Sequence, residues 1–96
     1  MTTEIELPDD LRERVSRDFG DQSSLVTGQL IAFRAESPSI ATDRILRCIV
    51  QAAASDVGRV RTYIDLAKLD WRDLIMAAEY QYPNVRVLDL SHPFEL

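Results

Sequence analysis

The stretch Leu-Asp-Trp-Arg-Asp-Leu at residues 69–74 is the clearest local signature in this chain. If Asp70 caps the amino terminus of a helix, Asp73 lies at the third helical position, where its carboxylate completes a reciprocal capping box. Leu69 and Leu74 then occupy the two positions of a hydrophobic staple, a contact that fixes how the chain enters the helix. The stretch therefore predicts that a helix begins here.

A second helix is expected immediately before this signature. Apolar residues at positions 57, 60, 64 and 67 recur at alternating intervals of three and four, which is typical of one helical face. Only two or three residues separate the two helices, and Pro83-Asn84 ends the later one after Tyr82. Because so short a link forces consecutive helices into contact, we expect a helical hairpin in the carboxy-terminal half.

Three more helices are expected earlier in the chain. The first begins at Pro8 and ends at Gly20, since proline suits a first helical position and glycine suits the turn after a helix. The second ends at Ser37-Pro38, because the residue before a proline avoids helical geometry. The third begins near Ser39 or Thr42 and carries the broadest apolar face of the chain.

These patterns predict a mainly α, or all-α, fold: a compact array of about five short helices that ends in the helical hairpin. The length allows one ordinary domain, so residues 1–96 are expected to form a single helical domain. Residues 85–90 also suit a short strand, although their alternation of apolar residues is broken at Leu88. A minor two-stranded pairing of residues 85–90 with residues 4–7 is therefore left open.

Charge is distributed unevenly along the chain. The net charge of −5 is carried by residues 1–43, whereas acidic and basic residues balance over residues 44–96. A negative field repels phosphate backbones, so generic nucleic-acid binding is disfavoured. No apolar run approaches the 18 or so residues that cross a bilayer, and no secretory signal is present. We expect a cytoplasmic protein that makes no membrane contact.

Unique residues limit the chemistry that the chain can perform. Cys48 and His92 are the only cysteine and histidine, and a structural zinc site needs several such ligands. Arg44 and Arg47 lie close to Cys48 in sequence and could lower the pKa of its thiol to give a nucleophile, but we favour a small buried apolar side chain on the face of Ile45 and Ile49. We expect no catalytic residue, no metal and no cofactor, and thus a protein that is not an enzyme.

A helix-turn-helix motif supplies an alternative function. Its packing needs a small residue, a glycine four residues later and an aliphatic residue six further on, and Ala54, Gly58 and Ile64 meet that spacing. The helix after the turn would present Arg61 to phosphates or bases, whereas Arg59 takes a position that is usually apolar. A DNA-binding regulator is therefore the second hypothesis.

Several short segments between residues 44 and 82 resemble a set of small uncharacterised bacterial proteins. The segments are Arg-Ile-Leu-Arg-Cys at 44–48, Tyr-Ile-Asp-Leu-Ala at 63–67, Asp-Trp-Arg-Asp at 70–73 and Ala-Glu-Tyr at 78–80. The resemblance implies a bacterial, cytosolic origin. It implies no activity and no site residue.

The leading functional hypothesis is a noncatalytic protein that interacts with or regulates another protein. Tryptophan, tyrosine and arginine dominate interaction hot spots, and such residues gather around the last predicted helix and its exit. The candidate interaction residues are Trp71, Arg72, Tyr80, Tyr82 and Phe94. An acidic inhibitor or immunity-type protein that masks a cationic enzyme is one specific version, because the net charge is −5. The expected partner is another protein, and a homodimer is left open.

Overall fold

α-Helices make up most of the described part of the chain. The computed structural model describes residues 7–82, 85–86 and 90, with side chains described for residues 7–79 and 90. The helices are α1 (Asp9–Phe19), α2 (Ser23–Glu36), α3 (Asp43–Ala53) and α4 (Val57–Glu79). A 3₁₀ turn, Gly20–Gln22, joins the first two, and the strands β1 (Tyr80–Tyr82) and β2 (Val85–Arg86) follow α4. The prediction of a mainly helical fold is confirmed.

α1 begins and ends at the residues that the sequence indicates. The carbonyl oxygen of Pro8 accepts the backbone N–H groups of Leu11 and Arg12, at 3.1 and 3.0 Å. At the other end, Gly20 has a φ of +51° and donates its N–H to the carbonyl of Ser16. A side chain at Gly20 would strain this backbone, so the glycine both ends α1 and allows the 3₁₀ turn into α2.

α3 is the central helix of the fold. The Thr42 hydroxyl oxygen accepts the N–H of Ile45 at 3.3 Å and caps the helix. Most of its side chains are buried, namely those of Ile45, Leu46, Arg47, Cys48, Ile49, Val50 and Ala53. α3 packs most extensively against α4 and also contacts α1. The core therefore surrounds α3 on several sides, in keeping with the broad apolar face in its sequence.

α4 changes direction at a single residue. Asp70 is the only residue inside it with non-helical angles, φ −155° and ψ 95°. Its carboxylate accepts the N–H of Arg72 at 3.0 Å, which confirms Asp70 as the cap of the following helical segment. Val60, Ile64 and Ala67 before the kink are buried. The part of α4 after Asp70, residues 71–79, is called the distal segment below.

The predicted array of about five helices that ends in a helical hairpin is not confirmed, because the described residues form four α-helices. No loop separates the last two expected helices, because one capped residue, Asp70, is enough to redirect α4. The predicted hydrophobic staple is wrong. Leu69 is 86% exposed whereas Leu74 is fully buried, so the kink turns Leu69 towards solvent instead of onto the distal segment.

The predicted continuation of the last helix to Tyr82 is also wrong. α4 ends at Glu79, and β1 pairs antiparallel with β2 in a register that places Tyr80 opposite Arg86 and Tyr82 opposite Val85. The Tyr-Gln-Tyr sequence favours a strand, and Pro83-Asn84 then separates two strands instead of ending a helix. The pairing of the termini is not confirmed: Val85–Arg86 pairs with β1, and residues 4–6 lie outside the described residues.

No helix within the described residues is long and apolar enough to span a membrane. The Cα radius of gyration is 12.7 Å, close to the roughly 12–13 Å expected for a folded chain of this length.

Two glycines provide a matched test of these helix assignments. Gly20→Ala should lower the free energy of unfolding by about 1–2 kcal/mol, because an L-residue at φ +51° is strained. Gly28→Ala should raise it by about 0.5–1 kcal/mol, because Gly28 lies within α2 and a Cβ there meets no atom within 4 Å. Urea unfolding followed by circular dichroism measures both. Destabilisation of similar size by the two substitutions would contradict the assignments.

Candidate functional site

Trp71 is a large aromatic side chain that the core does not cover. It is the first residue of the distal segment and is 44% exposed. The guanidinium carbon of Arg72 lies 5.3 Å from the centre of the Trp71 ring, a distance at which a cation is attracted to the aromatic face. The structure thus brings together Trp71 and Arg72, two of the five residues that the sequence nominated.

A pocket of about 160 Å³ opens beside the Trp71 ring. It lies between the amino-terminal end of α3, the loop before it and the distal segment. Its walls are formed by Ser39, Ile40, Thr42, Arg44, Ile45, Trp71 and Ile75. Three isoleucines and a tryptophan make most of this surface apolar, whereas the two hydroxyl groups and one guanidinium supply the polar groups.

Further apolar side chains are exposed near the kink in sequence. Leu69 is 86% exposed and Met76 is 42% exposed. Single exposed apolar residues are common on proteins, but three within eight residues of sequence, one of which lines an apolar pocket, indicate a surface that another molecule covers. We call Leu69, Trp71, Arg72, Met76 and the adjoining pocket the Trp71 surface.

Arg72 differs in one respect from every other basic residue whose side chain is described. Each of the others forms an ion pair with a carboxylate; they are Arg12, Arg14, Arg17, Arg34, Arg44, Arg47, Arg59, Arg61 and Lys68. Arg72 forms no ion pair within the described residues and instead lies over Trp71. Arg72 is therefore the one basic side chain that has no acidic partner among the described residues.

A buried ion pair lies under the pocket. Glu79, the last residue of α4, is completely buried. Its two carboxylate oxygens accept N–H groups of Arg44 at 2.9 Å each, in the parallel arrangement that makes arginine–carboxylate pairs strong. The Cys48 thiol is 3.6 Å from the same carboxylate and donates to it. Because Arg44 also lines the pocket, this pair joins the pocket wall to the core.

The sequence did not reveal Glu79 as part of the site. It lies four residues after Ile75, so helical spacing places its carboxylate on the buried side of the distal segment. A charged residue at a position that belongs to an apolar helical face was the signal in the sequence that could have identified Glu79. Its partner, Arg44, lies 35 residues away and carries no local pattern that identifies it.

The other three candidate interaction residues have no described side chain. Tyr80 and Tyr82 form β1, and their side chains are not among those described. Phe94 lies outside the described residues, as does His92. Cys48 is buried on α3, as a small core side chain would be.

Of the three residues that have helix-turn-helix spacing, only Ile64 is buried as the motif requires. Ile64 is buried, but Ala54 is exposed and has a φ of +50° at the end of α3, so it does not fill a helix contact. Gly58 lies in the first turn of α4, where its N–H is accepted by the Asp56 carboxylate. Arg61, the candidate phosphate contact, lies 3.7 Å from the carboxylate of Asp65.

A larger groove of about 400 Å³ runs between α2 and α4. The charged side chain of Lys68 on its rim is paired within the chain: it lies 3.0 Å from Glu36 and 5.9 Å from the centre of the Phe33 ring. The buried side-chain oxygen of Gln29, which also lines the groove, has no hydrogen-bond partner among the described residues. The groove thus offers no unpaired charge, and we assign the candidate site to the Trp71 surface.

Comparison with known protein families, with curated proteins and with solved structures finds no match to this chain. Among the described residues, no group of three or more His, Cys, Asp or Glu side chains is placed to hold a metal ion. The functional interpretation therefore depends on the geometry of the Trp71 surface.

The buried ion pair is tested by a double-mutant cycle. Arg44→Leu should lower the free energy of unfolding by about 3 kcal/mol, because it leaves the Glu79 carboxylate buried without its cation. Replacing both residues by leucine should cost clearly less than the sum of the two single substitutions. Arg59→Leu, in an exposed pair, should change stability by less than about 1 kcal/mol. Additive effects at Arg44 and Glu79 in urea unfolding would contradict the pairing.

The buried position of Cys48 predicts a slow thiol. Alkylation of Cys48 in the native protein should be at least about a thousandfold slower than in urea, because the reagent reaches it only after local or global opening. Mass spectrometry of timed samples measures the rate. A native rate equal to that of free cysteine would contradict this burial, and only a rate faster than that of free cysteine would support the hypothesis of a cysteine nucleophile.

Proposed function

We propose that this protein is a noncatalytic interaction or regulatory protein that binds another protein through the Trp71 surface. The observation that carries the proposal is the pairing of a half-exposed tryptophan with an arginine that lacks an acidic partner among the described residues, beside an apolar pocket. No described side chain covers this combination.

The chemistry of the surface supports the proposal. Tryptophan and arginine are the residues most enriched in interaction hot spots, where truncating one of them costs about 2 kcal/mol or more of binding free energy. A partner that covers Trp71 removes an apolar ring from water, and the exposed Leu69 and Met76 nearby in sequence offer further apolar area whose burial favours association. Arg72 held against the Trp71 ring has less side-chain freedom to lose on binding.

Backbone geometry supports the same surface. The distal segment is capped at one end by Asp70 and fixed at the other by the buried Glu79, so Trp71 is displayed by a short helix held at both ends. Side chains on a rigid element lose little conformational entropy when a partner binds. Such a platform suits recognition of a preformed partner surface.

The net charge favours a regulatory partner of opposite sign. A protein with a net charge of −5 attracts cationic partners over distances of about 10 Å at moderate salt, which accelerates association without determining the final contacts. An inhibitor or immunity-type protein that masks a cationic enzyme is the specific form that we favour. Local contacts at the Trp71 surface would then determine the orientation of the partner.

Photo-crosslinking tests the proposal directly in the cell that makes the protein. A photoreactive amino acid in place of Met76, which is 42% exposed, should capture one predominant protein. Capture should be lost on Trp71→Ala, whose helical content should remain unchanged by circular dichroism because its ring is half outside the core. The matched control places the photoreactive residue at Glu13, an exposed position on α1. Equal capture from both positions, or capture unaffected by Trp71→Ala, would overturn the proposal.

A further inference from the structure

We infer that the segment docking on the Trp71 surface presents an apolar side chain next to a carboxylate, the first entering the pocket and the second pairing with Arg72. This inference rests on the proposed function and names the chemistry of its partner. It follows from three observations: the size and lining of the pocket, the charge of Arg72 that the described residues leave without an acidic partner, and the acidic residues on either side of Arg72.

The pocket volume selects a single side chain. A dry, apolar cavity of about 150 Å³ holds one benzene ring, and this pocket measures about 160 Å³. Its isoleucine and tryptophan walls offer dispersion contacts to a leucine, isoleucine or phenylalanine side chain. A polar side chain placed there would face mostly isoleucine and tryptophan, with Ser39, Thr42 and Arg44 as its polar contacts, so most of its hydration would be lost without replacement.

Arg72 can receive an anion at the Trp71 ring, which itself lines the pocket. A guanidinium that lies over an aromatic ring keeps N–H groups at its edge, and these can donate in parallel to the two oxygens of a carboxylate. The other described basic side chains already have such an oxygen from within the chain. A partner carboxylate would give Arg72 the same kind of contact.

The neighbouring charges favour a carboxylate over a doubly charged phosphate group. Asp70 and Asp73 lie on either side of Arg72 in sequence and are exposed. The cost of taking a group out of water grows faster than its charge, whereas its attraction to Arg72, which these two carboxylates partly offset, grows only in proportion, so a singly charged group is favoured over a doubly charged one. The inferred ligand is therefore an apolar–acidic peptide segment.

Trp71 itself provides the readout, because it is the only tryptophan in the chain. The probes are blocked peptides Gly-Leu-Glu-Gly, Gly-Leu-Gln-Gly and Gly-Ala-Glu-Gly, titrated to millimolar concentrations against the full chain while Trp71 emission is recorded. The first peptide should shift the emission in a saturable way. The glutamine peptide should bind about tenfold more weakly because the charge-assisted hydrogen bonds are lost. The alanine peptide should give no saturable shift, because its side chain does not fill the pocket.

Two variants locate the carboxylate contact. Arg72→Gln should remove the preference for glutamate over glutamine, whereas Arg59→Gln, which removes the same charge from the first turn of α4, should retain it.

Each contrary result overturns the inference in a recognisable way. Equal binding of the glutamate and glutamine peptides would remove the acidic requirement and leave the photo-crosslinking result standing. A lack of any peptide response would overturn the apolar–acidic ligand, whatever protein is captured from Met76. Emission that shifts with protein concentration alone would show that a second copy of this chain occupies the surface instead.

Discussion

Glu79 is a carboxylate with no access to water, and the rest of the distal segment depends on how that charge is compensated. A buried carboxylate is tolerated only with a cation and hydrogen bonds, and Arg44 supplies both through two parallel contacts of 2.9 Å. The Cys48 thiol adds a third, weaker contact. Because Glu79 ends α4 and Arg44 lies in the first turn of α3, the pair holds the distal segment against the central helix. The pocket beside Trp71 lies between the two elements that this pair joins.

Similar polar contacts tie α3 to the other helices. Arg47, which is 5% exposed, binds the Asp10 carboxylate of α1 at 2.9 and 3.2 Å and also donates to the carbonyl of Leu90. Asp43 accepts a hydrogen bond from Arg34 of α2. Apolar burial supplies the driving force for packing, but it is not directional, whereas these contacts specify which helix lies against which side of α3. The two arginines of α3, Arg44 and Arg47, thus connect this helix to α4 and α1 respectively.

Local signals in the sequence predicted the elements better than their assembly. Gly20, Thr42 and Asp70 act through groups within a few residues of themselves, so their roles as helix ends and caps were recognisable from sequence. Leu69 was misassigned because a staple depends on the angle of the kink, which the capping pattern does not determine. The partners of Arg44 and Arg47 lie 35 and 37 residues away, and no periodicity identifies such pairs. For the site, residue type indicated Trp71 and Arg72, although the helical spacing of Trp71 with Ile75 and Ala78 favoured a core position for the tryptophan. The pocket beside them arises from tertiary packing and was not predictable.

The functional interpretation therefore depends on the distal segment being a stable platform joined to α3. Native-state amide hydrogen exchange measures this most directly in the unmodified protein. Amides of residues 74–79 should share the slow exchange of residues 45–50 on α3, because the buried Glu79 requires both elements to open together. Rapid exchange of residues 74–79 while residues 45–50 remain protected would show that the distal segment opens independently and would contradict the account.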